Sequence, residues 1–199
     1  MSDLISPLSL PDDDALRRLH ARLETEADGA GLLEIAYRTL ETPVGLLLLA
    51  ATPRGLVRVA FRFEGHDAAL ERLARELSPR ILCAPRRLDA AAREIDEYFA
   101  GRRVSFDLPL DLSLARGFRR KVLGHLARIR YGATASYAQI ARHTGSPRAV
   151  RAVGTACALN PLPIVVPCHR VLRSDGSLGG YAGGLAAKRA LLALEASAV

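Results

Sequence analysis

The chain has 199 residues, 28 Lys+Arg against 21 Asp+Glu, and three cysteines, giving a formal net charge of +7. That length suits one large or two small domains, and an apolar share of 49% is enough for a core. No apolar run approaches the ~18 residues of a membrane span, the acidic stretch 1–14 lacks a signal pattern, and three sparse cysteines do not make a disulfide scaffold, so a soluble, cytoplasmic protein with free thiols is expected.

No Cys-x-x-Cys pair is present, and no metal site is expected. Charge is distributed unevenly: residues 1–108 hold 15 Lys+Arg against 18 Asp+Glu, whereas 109–199 hold 13 against 3. The second half therefore suits a polyanion partner, unless its basic surface serves solubility alone. Arginine supplies 26 of the 28 cations, and its planar fork suits phosphates and base edges.

Residues 1–31 read as an N-terminal extension. Asp12–Glu26 can form a polar helix with Leu16, Leu19 and Leu23 as its stripe, broken by Asp28-Gly29-Ala30-Gly31. Residues 32–108 read as a small α/β domain. Strands are expected at Leu33–Arg38, Val44–Ala51 and Leu56–Phe63, the last with Val57, Val59, Phe61 and Phe63 on one face. A helix at 67–77, a short strand Ile81–Ala84, a helix Leu88–Ala100 and a strand Val104–Leu108 follow.

Residues 109–199 read as mostly helical. Phe118, Val122, Leu126 and Ile129 form one stripe of a helix Ala115–Ile129. Ser136 is placed to cap a short helix Tyr137–His143, and Gly145 to stop it. Ser146-Pro147 is then read as the start of a second helix reaching about Leu159, with Arg148 and Arg151 on one face. The pair forms a helix-turn-helix, whose second helix would be the recognition helix.

Three prolines and a β-branched run, Pro161 to Pro167, predict an extended, stiff segment that delivers Cys168 and His169 to one place. A free thiol is mostly protonated at neutral pH, so a nucleophilic cysteine needs a base or a positive field, and His169 and Arg170 offer both. Adjacent side chains on an extended segment point opposite ways, so a bridging water would carry the proton.

Pro167-Cys168-His169-Arg170-Val171 resembles the active-site signature of the O6-alkylguanine-DNA alkyltransferases (methylated-DNA–protein-cysteine methyltransferases). Tyr131-Gly132 with Ser136-Tyr137, Arg151-Ala152-Val153-Gly154, Asn160-Pro161, Tyr181-Ala182-Gly183-Gly184 and Leu191-Leu192-Ala193-Leu194-Glu195 follow in that family's order and spacing. The likeness is close over 115–196 and looser over 32–108.

The resemblance implies an α+β fold: a ribonuclease-H-like N-terminal domain (32–108), then a helical, winged-helix-like domain (109–199) that carries the helix-turn-helix, DNA binding and catalysis. It implies direct-reversal repair of double-stranded DNA containing O6-alkylguanine, with O4-alkylthymine left open. The alkyl group moves to Cys168 and spends the protein. No cofactor or metal is implied, and the protein would act as a monomer, with cooperative loading on DNA left open. The damaged base would be flipped out of the stack, with Arg151 filling the gap from the minor groove. Arg148, Ala149, Ala152 and Gly154 would lie close to the duplex. His169 would accept the thiol proton through water, Glu195 would orient His169, Asn160 would brace the turn and Tyr137 would protonate the leaving guanine. Val171, Tyr181, Ala182, Gly183 and Cys157 would form the base pocket, and Arg173-Ser174-Asp175-Gly176 the turn of a wing. A non-catalytic lesion-binding relative, a helix-turn-helix transcription factor and a thiol hydrolase are the competing readings.

Overall fold

A computed structural model of the chain describes residues 12–197. Helix α1 (Asp13–Gly29) starts at Asp12, whose carboxylate accepts from the Ala15 amide. His20 donates to the Cys83 carbonyl, Asp28 pairs with Arg87 and Ala27 packs on the core, which holds the helix to the body. The stripe Leu16, Leu19 and Leu23 faces solvent at 49%, 59% and 51% exposure. The periodic stripe thus marked the helix but not the face that docks.

Strands β1 (Ile35–Leu40), β2 (Leu47–Thr52), β3 (Gly55–Phe61) and β4 (Ile81–Cys83) form one sheet in the order β3-β2-β1-β4. β4 joins β1 in parallel, and the other pairings are antiparallel. Helix α2 (His66–Glu76) brings Leu73 to one face of the sheet. Helix α3 (Asp89–Phe99) and the helical half pack on the other. Burial on both faces explains the continuous apolar run Leu47–Ala50, in which every residue is buried.

Simple alternation fails in β3. Ala50 pairs with Arg58 but Ala51 pairs with Leu56, which makes Val57 an extra, bulged residue. Val57 therefore packs with Ile35, Ala50 and Leu73, away from Val59 and Phe61. Phe63 leaves the strand altogether: a 3-10 turn, Arg62–Glu64, forms where the Glu64 carboxylate accepts from the Phe61 amide and from Arg58, and Phe63 is 68% exposed. The strand expected at Val104–Leu108 is also not formed. This segment is held by side chains, with Glu94 accepting from the Asp107 amide and from Arg103. The sheet edge is met only afterwards, by Pro109 and Leu110, and Pro109 has no N–H to extend a ladder.

The second half contains α4 (Gly117–Leu126), β5 (Ala135–Ser136), α5 (Tyr137–His143), α6 (Val150–Ala158), β6 (Val171–Leu172) and α7 (Gly184–Ala196). α4, α5 and α6 pack mutually through Val122, Leu126, Ile140, Ala141, Val153 and Ala156, and β5 pairs with β6 in parallel. Ser136 caps α5, and Gln139 reciprocates at the Ser136 amide. Gly145 ends the turn after α5 at φ +73°. Ser146 does not cap α6: its carbonyl accepts from the Ala149 amide and closes a separate turn, so α6 begins at Val150. Arg148 and Ala149 thus precede the helix, and Arg148 does not share a helical face with Arg151.

The two halves share the main apolar cluster, which runs from Leu47, Phe61 and Tyr98 to Val122, Ile164 and Leu191. The Val59 amide also donates to the Pro161 carbonyl at 2.8 Å. The sheet is therefore tied to the loop that ends at Cys168. Among the described residues, no helix is long and apolar enough to cross a membrane.

Candidate active site

Residues 160–170 are all buried, and they form successive turns instead of the extended segment expected from three prolines. Val166 donates to the Leu162 carbonyl, and Cys168 to that of Val166, each at 2.8 Å. Ile164 takes φ +74°, a costly geometry for a β-branched residue, held by complete burial of its side chain. Asn160 staples the coil. Its Oδ1 accepts from the Leu162 amide at 3.0 Å, and its Nδ2 donates to the Val166 carbonyl at 2.8 Å and to Cys168 Sγ at 3.1 Å.

Cys168, His169 and Arg170 occupy one 3-10 turn, and this tight winding sends the last two side chains to Glu195 on α7. His169 Nε2 donates to Glu195 Oε1 at 2.8 Å. Because Nε2 faces a carboxylate it carries the hydrogen, which leaves the lone pair on Nδ1. Nδ1 is buried and has no hydrogen-bond partner among the described residues. Arg170 Nε donates to Glu195 Oε2 at 2.9 Å and its terminal nitrogen to Oε1 at 2.8 Å, while its other nitrogen reaches the Ile129 carbonyl. The Tyr98 hydroxyl donates to Oε1 at 2.6 Å and the Gly132 amide to Oε2 at 3.3 Å. Glu195 therefore gathers an imidazole, a guanidinium, a phenol and an amide from three separate segments.

The electrostatics follow from this burial. Desolvation pushes the Cys168 thiol up to about 11, against the opposing pull of Asn160 and Lys188. Desolvation also lowers His169, against its bond to Glu195, and keeps the imidazole neutral. Burial alone would raise Glu195, but the bonds from His169 and Arg170 hold it at about 2. The resting site is thus a neutral thiol, a neutral imidazole and a charged carboxylate. Lys188 is fully buried, donates to the Val171 carbonyl at 2.6 Å, and has its affinity for a proton lowered by desolvation. Burial pushes Cys157 up to about 12, so the second thiol beside Cys168 is held protonated.

Beside this constellation a groove of about 470 Å³ is lined by Tyr137, Gly154, Gly179, Tyr181 and Ala182. Gly179 lies directly against the Tyr137 ring and Gly183 against the Phe61 ring, so a Cβ at either position would collide with an aromatic side chain. Phe61 meets Tyr181 edge-on at 5.7 Å, and Tyr181 meets His169 at 6.2 Å. The residues expected in the base pocket thus divide. Tyr181 and Ala182 line the groove; Gly183 packs on Phe61; Val171 and Cys157 are buried behind it, and the Val171 carbonyl already accepts from Lys188. Arg151 and Ala152 are exposed on α6, whose Gly154 borders the groove, and Arg148 and Ala149 border a hollow at the turn before it. The Arg173–Gly176 turn closes through the Gly176 amide on the Arg173 carbonyl.

Tyr98, Lys188 and Phe61 were not singled out in the sequence. Lys188 had a signal: Lys188, Leu191 and Glu195 stand at i, i+3 and i+7 on α7, and all three are buried. Tyr98 and Phe61 had none, since both reach the site only through the packing of the two halves. Among the described residues, no group of three or more His, Cys, Asp or Glu could hold a metal ion.

Comparison with known proteins matches residues 35–112 to the family domain described as "6-O-methylguanine DNA methyltransferase, ribonuclease-like domain" and residues 117–197 to its "DNA binding domain". A methylated-DNA–protein-cysteine methyltransferase of Mycolicibacterium paratuberculosis is 41% identical over 161 residues, 81% of this chain and 92% of that protein. The crystal structure of the Mycobacterium tuberculosis O6-methylguanine methyltransferase superposes with a TM-score of 0.72 at 38% identity, covering 83% of this chain and 94% of that one. A Mycobacterium tuberculosis protein, OGT, solved in complex with DNA, superposes with a TM-score of 0.70 at 38% identity over 82% of this chain and 94% of that one.

Proposed function

The chain belongs to the 6-O-methylguanine DNA methyltransferase family, and from that premise we propose that it repairs duplex DNA by moving the alkyl group of O6-alkylguanine to Cys168, once per chain. The observation that carries this reading is the joining of Cys168, His169 and Glu195 by one tight turn and one helix, beside a groove bordered by the helix-turn-helix.

The chemistry follows from which lone pair is free. Cys168 gives its proton through a water to His169 Nδ1, and the imidazolium is stabilised by Glu195 at Nε2. The thiolate sulfur attacks the alkyl carbon, a C–S bond forms as the C–O6 bond breaks, and the bond's electron pair leaves with the guanine. Tyr137 returns a proton to the departing base. The product is a thioether, which nothing at the site can hydrolyse, so each chain acts once.

Residues 32–108 act in this reading as the support of the site loop, 109–199 as the DNA-binding and transfer domain, and 12–31 as an extension outside both. The basic balance of 109–199 supplies phosphate contacts. Arg151 enters the stack from the exposed face of α6, with Ala152 and Gly154 permitting close approach, and Arg148 and Ala149 reach the backbone from the preceding turn.

The test is an intact-mass measurement after mixing with a duplex that contains one O6-methylguanine. One methyl group gained in place of a proton, mapped to Cys168 and saturating at one per chain, is the expected result. Tight lesion binding without mass gain would leave a lesion sensor, and turnover of esters or amides without any DNA dependence would leave a thiol hydrolase.

A further inference from the structure

The least explained contact at the site comes from the other half of the molecule. Tyr98, on α3, is fully buried, and its hydroxyl donates at 2.6 Å to Glu195 Oε1, the oxygen that also accepts from His169 Nε2. The ring is held by Phe99 and Phe106, each at 5.4 Å, and by Tyr131 at 5.9 Å, so the hydroxyl cannot swing away. Burial and the neighbouring Glu195 hold the phenol protonated, so it acts as a donor only.

We propose that Tyr98 is a positioning residue of the transfer reaction: by sharing Glu195 Oε1 with His169, it sets the proton affinity of the imidazole that receives the Cys168 proton. This rests on the proposed function. A merely structural role would have Tyr98 hold Glu195 in place, but Arg170 already does that by contacting both carboxylate oxygens while anchored on the Ile129 carbonyl. What remains for Tyr98 is electronic. A donor on Oε1 draws charge from that oxygen and weakens its pull on the Nε2 hydrogen. Imidazolium formation is thereby tempered, and His169 stays neutral and able to accept. The other groups facing this pair are Arg170 on the same turn, Tyr131 after α4, the Gly132 amide, Lys188 on α7, Tyr181 in the site loop and Cys168 itself. None of them except Arg170 and the amide donates to the carboxylate.

The test compares the full chain with Tyr98→Phe, which keeps the ring and its packing. The second-order rate of methyl transfer from an O6-methylguanine duplex is followed across pH, because its acid limb reports the free protein's base. The limb should rise by roughly half a unit or more as His169 becomes more basic. A site-specific 3-fluorotyrosine at position 98, a more acidic phenol and stronger donor, should move it the opposite way. Tyr131→Phe, whose hydroxyl does not reach Glu195, should leave it in place. Nitrogen NMR titration of the His169 imidazole should show the same shifts without requiring any transfer. An acid limb and an imidazole titration that both stay fixed in Tyr98→Phe and in the fluorinated chain overturn the proposal. If the wild-type chain transfers no methyl group, the proposed function falls, while the imidazole titration still decides the role of Tyr98.

Discussion

Glu195 has the most consequential chemistry of any single side chain here, and its effects on activity and stability can be separated. It is buried between His169 and Arg170, and Arg170 is itself only 6% exposed. Glu195→Gln keeps the shape but leaves the Arg170 guanidinium buried opposite a neutral amide, so the loss of stability should be about 3–5 kcal/mol. Urea unfolding would measure it. Transfer should fall more steeply than the folded fraction at every urea concentration below the midpoint, because the imidazolium loses its counter-charge as well. Equal losses would show that Glu195 only supports the fold. Cys168 obeys a complementary logic: a thiol pushed up to about 11 is safe from casual oxidation, and becomes a nucleophile only when His169 takes its proton.

At the scale of elements, the loop 179–184 is fixed from both sides by aromatic rings that leave no room for a Cβ. Gly179→Ala would drive a methyl into the Tyr137 ring. The loop lines an open groove and carries little of the core, so it should move instead of unfolding the chain: a stability change within about 1 kcal/mol by thermal melting, with a large loss of transfer rate. A large fall in melting temperature at unchanged rate would contradict this. The same elements show what local sequence can and cannot reveal. Ser136 and Gly145 each bond a partner three residues away, Gln139 and Arg142, and the helix Tyr137–His143 was legible to the residue. Ser146-Pro147 presents the same kind of signal, yet the carbonyl of Ser146 closes a turn and α6 starts at Val150, because local preference cannot tell which of two adjacent turns the packing will continue. The bulge at Val57 is set by its partner strand, so periodicity within β3 could not show it. Cys168, His169 and Glu195 were legible through a motif, whereas the turn that aims them at one point was not, since three prolines read as extended but wind into buried turns around Asn160.

At the scale of the whole molecule, the buried site should leave its mark on stability as a function of pH. His169 is held below its ordinary value of 6.5, so the unfolded chain binds a proton there that the folded chain refuses, and stability should decline as pH falls through about 6.5. Glu195 lies at about 2 instead of 4.5, so a second loss should follow as pH falls from 4.5 toward 2. Cys168 has the opposite sign on the alkaline side. It is held at about 11 instead of 9, so the folded chain retains a proton that the unfolded chain releases, and stability is lost as pH rises from 9 toward 11. Two units on one buried group correspond to about 3 kcal/mol. Stability measured by urea midpoint should therefore form a plateau between about 6.5 and 9, falling on both sides. Cys168→Ser, which has no ionisation in that range, should flatten part of the alkaline decline and leave the acid side unchanged; Cys157, held at about 12, together with Cys83, Tyr98, Tyr137 and Tyr181, which burial also raises, would account for what remains. The thioether product should do the same, since alkylation removes the same proton. An alkaline decline identical in the native, serine and alkylated chains would mean that the Cys168 thiol titrates alike folded and unfolded, and that the site is open to water rather than sealed by the packing of its two halves.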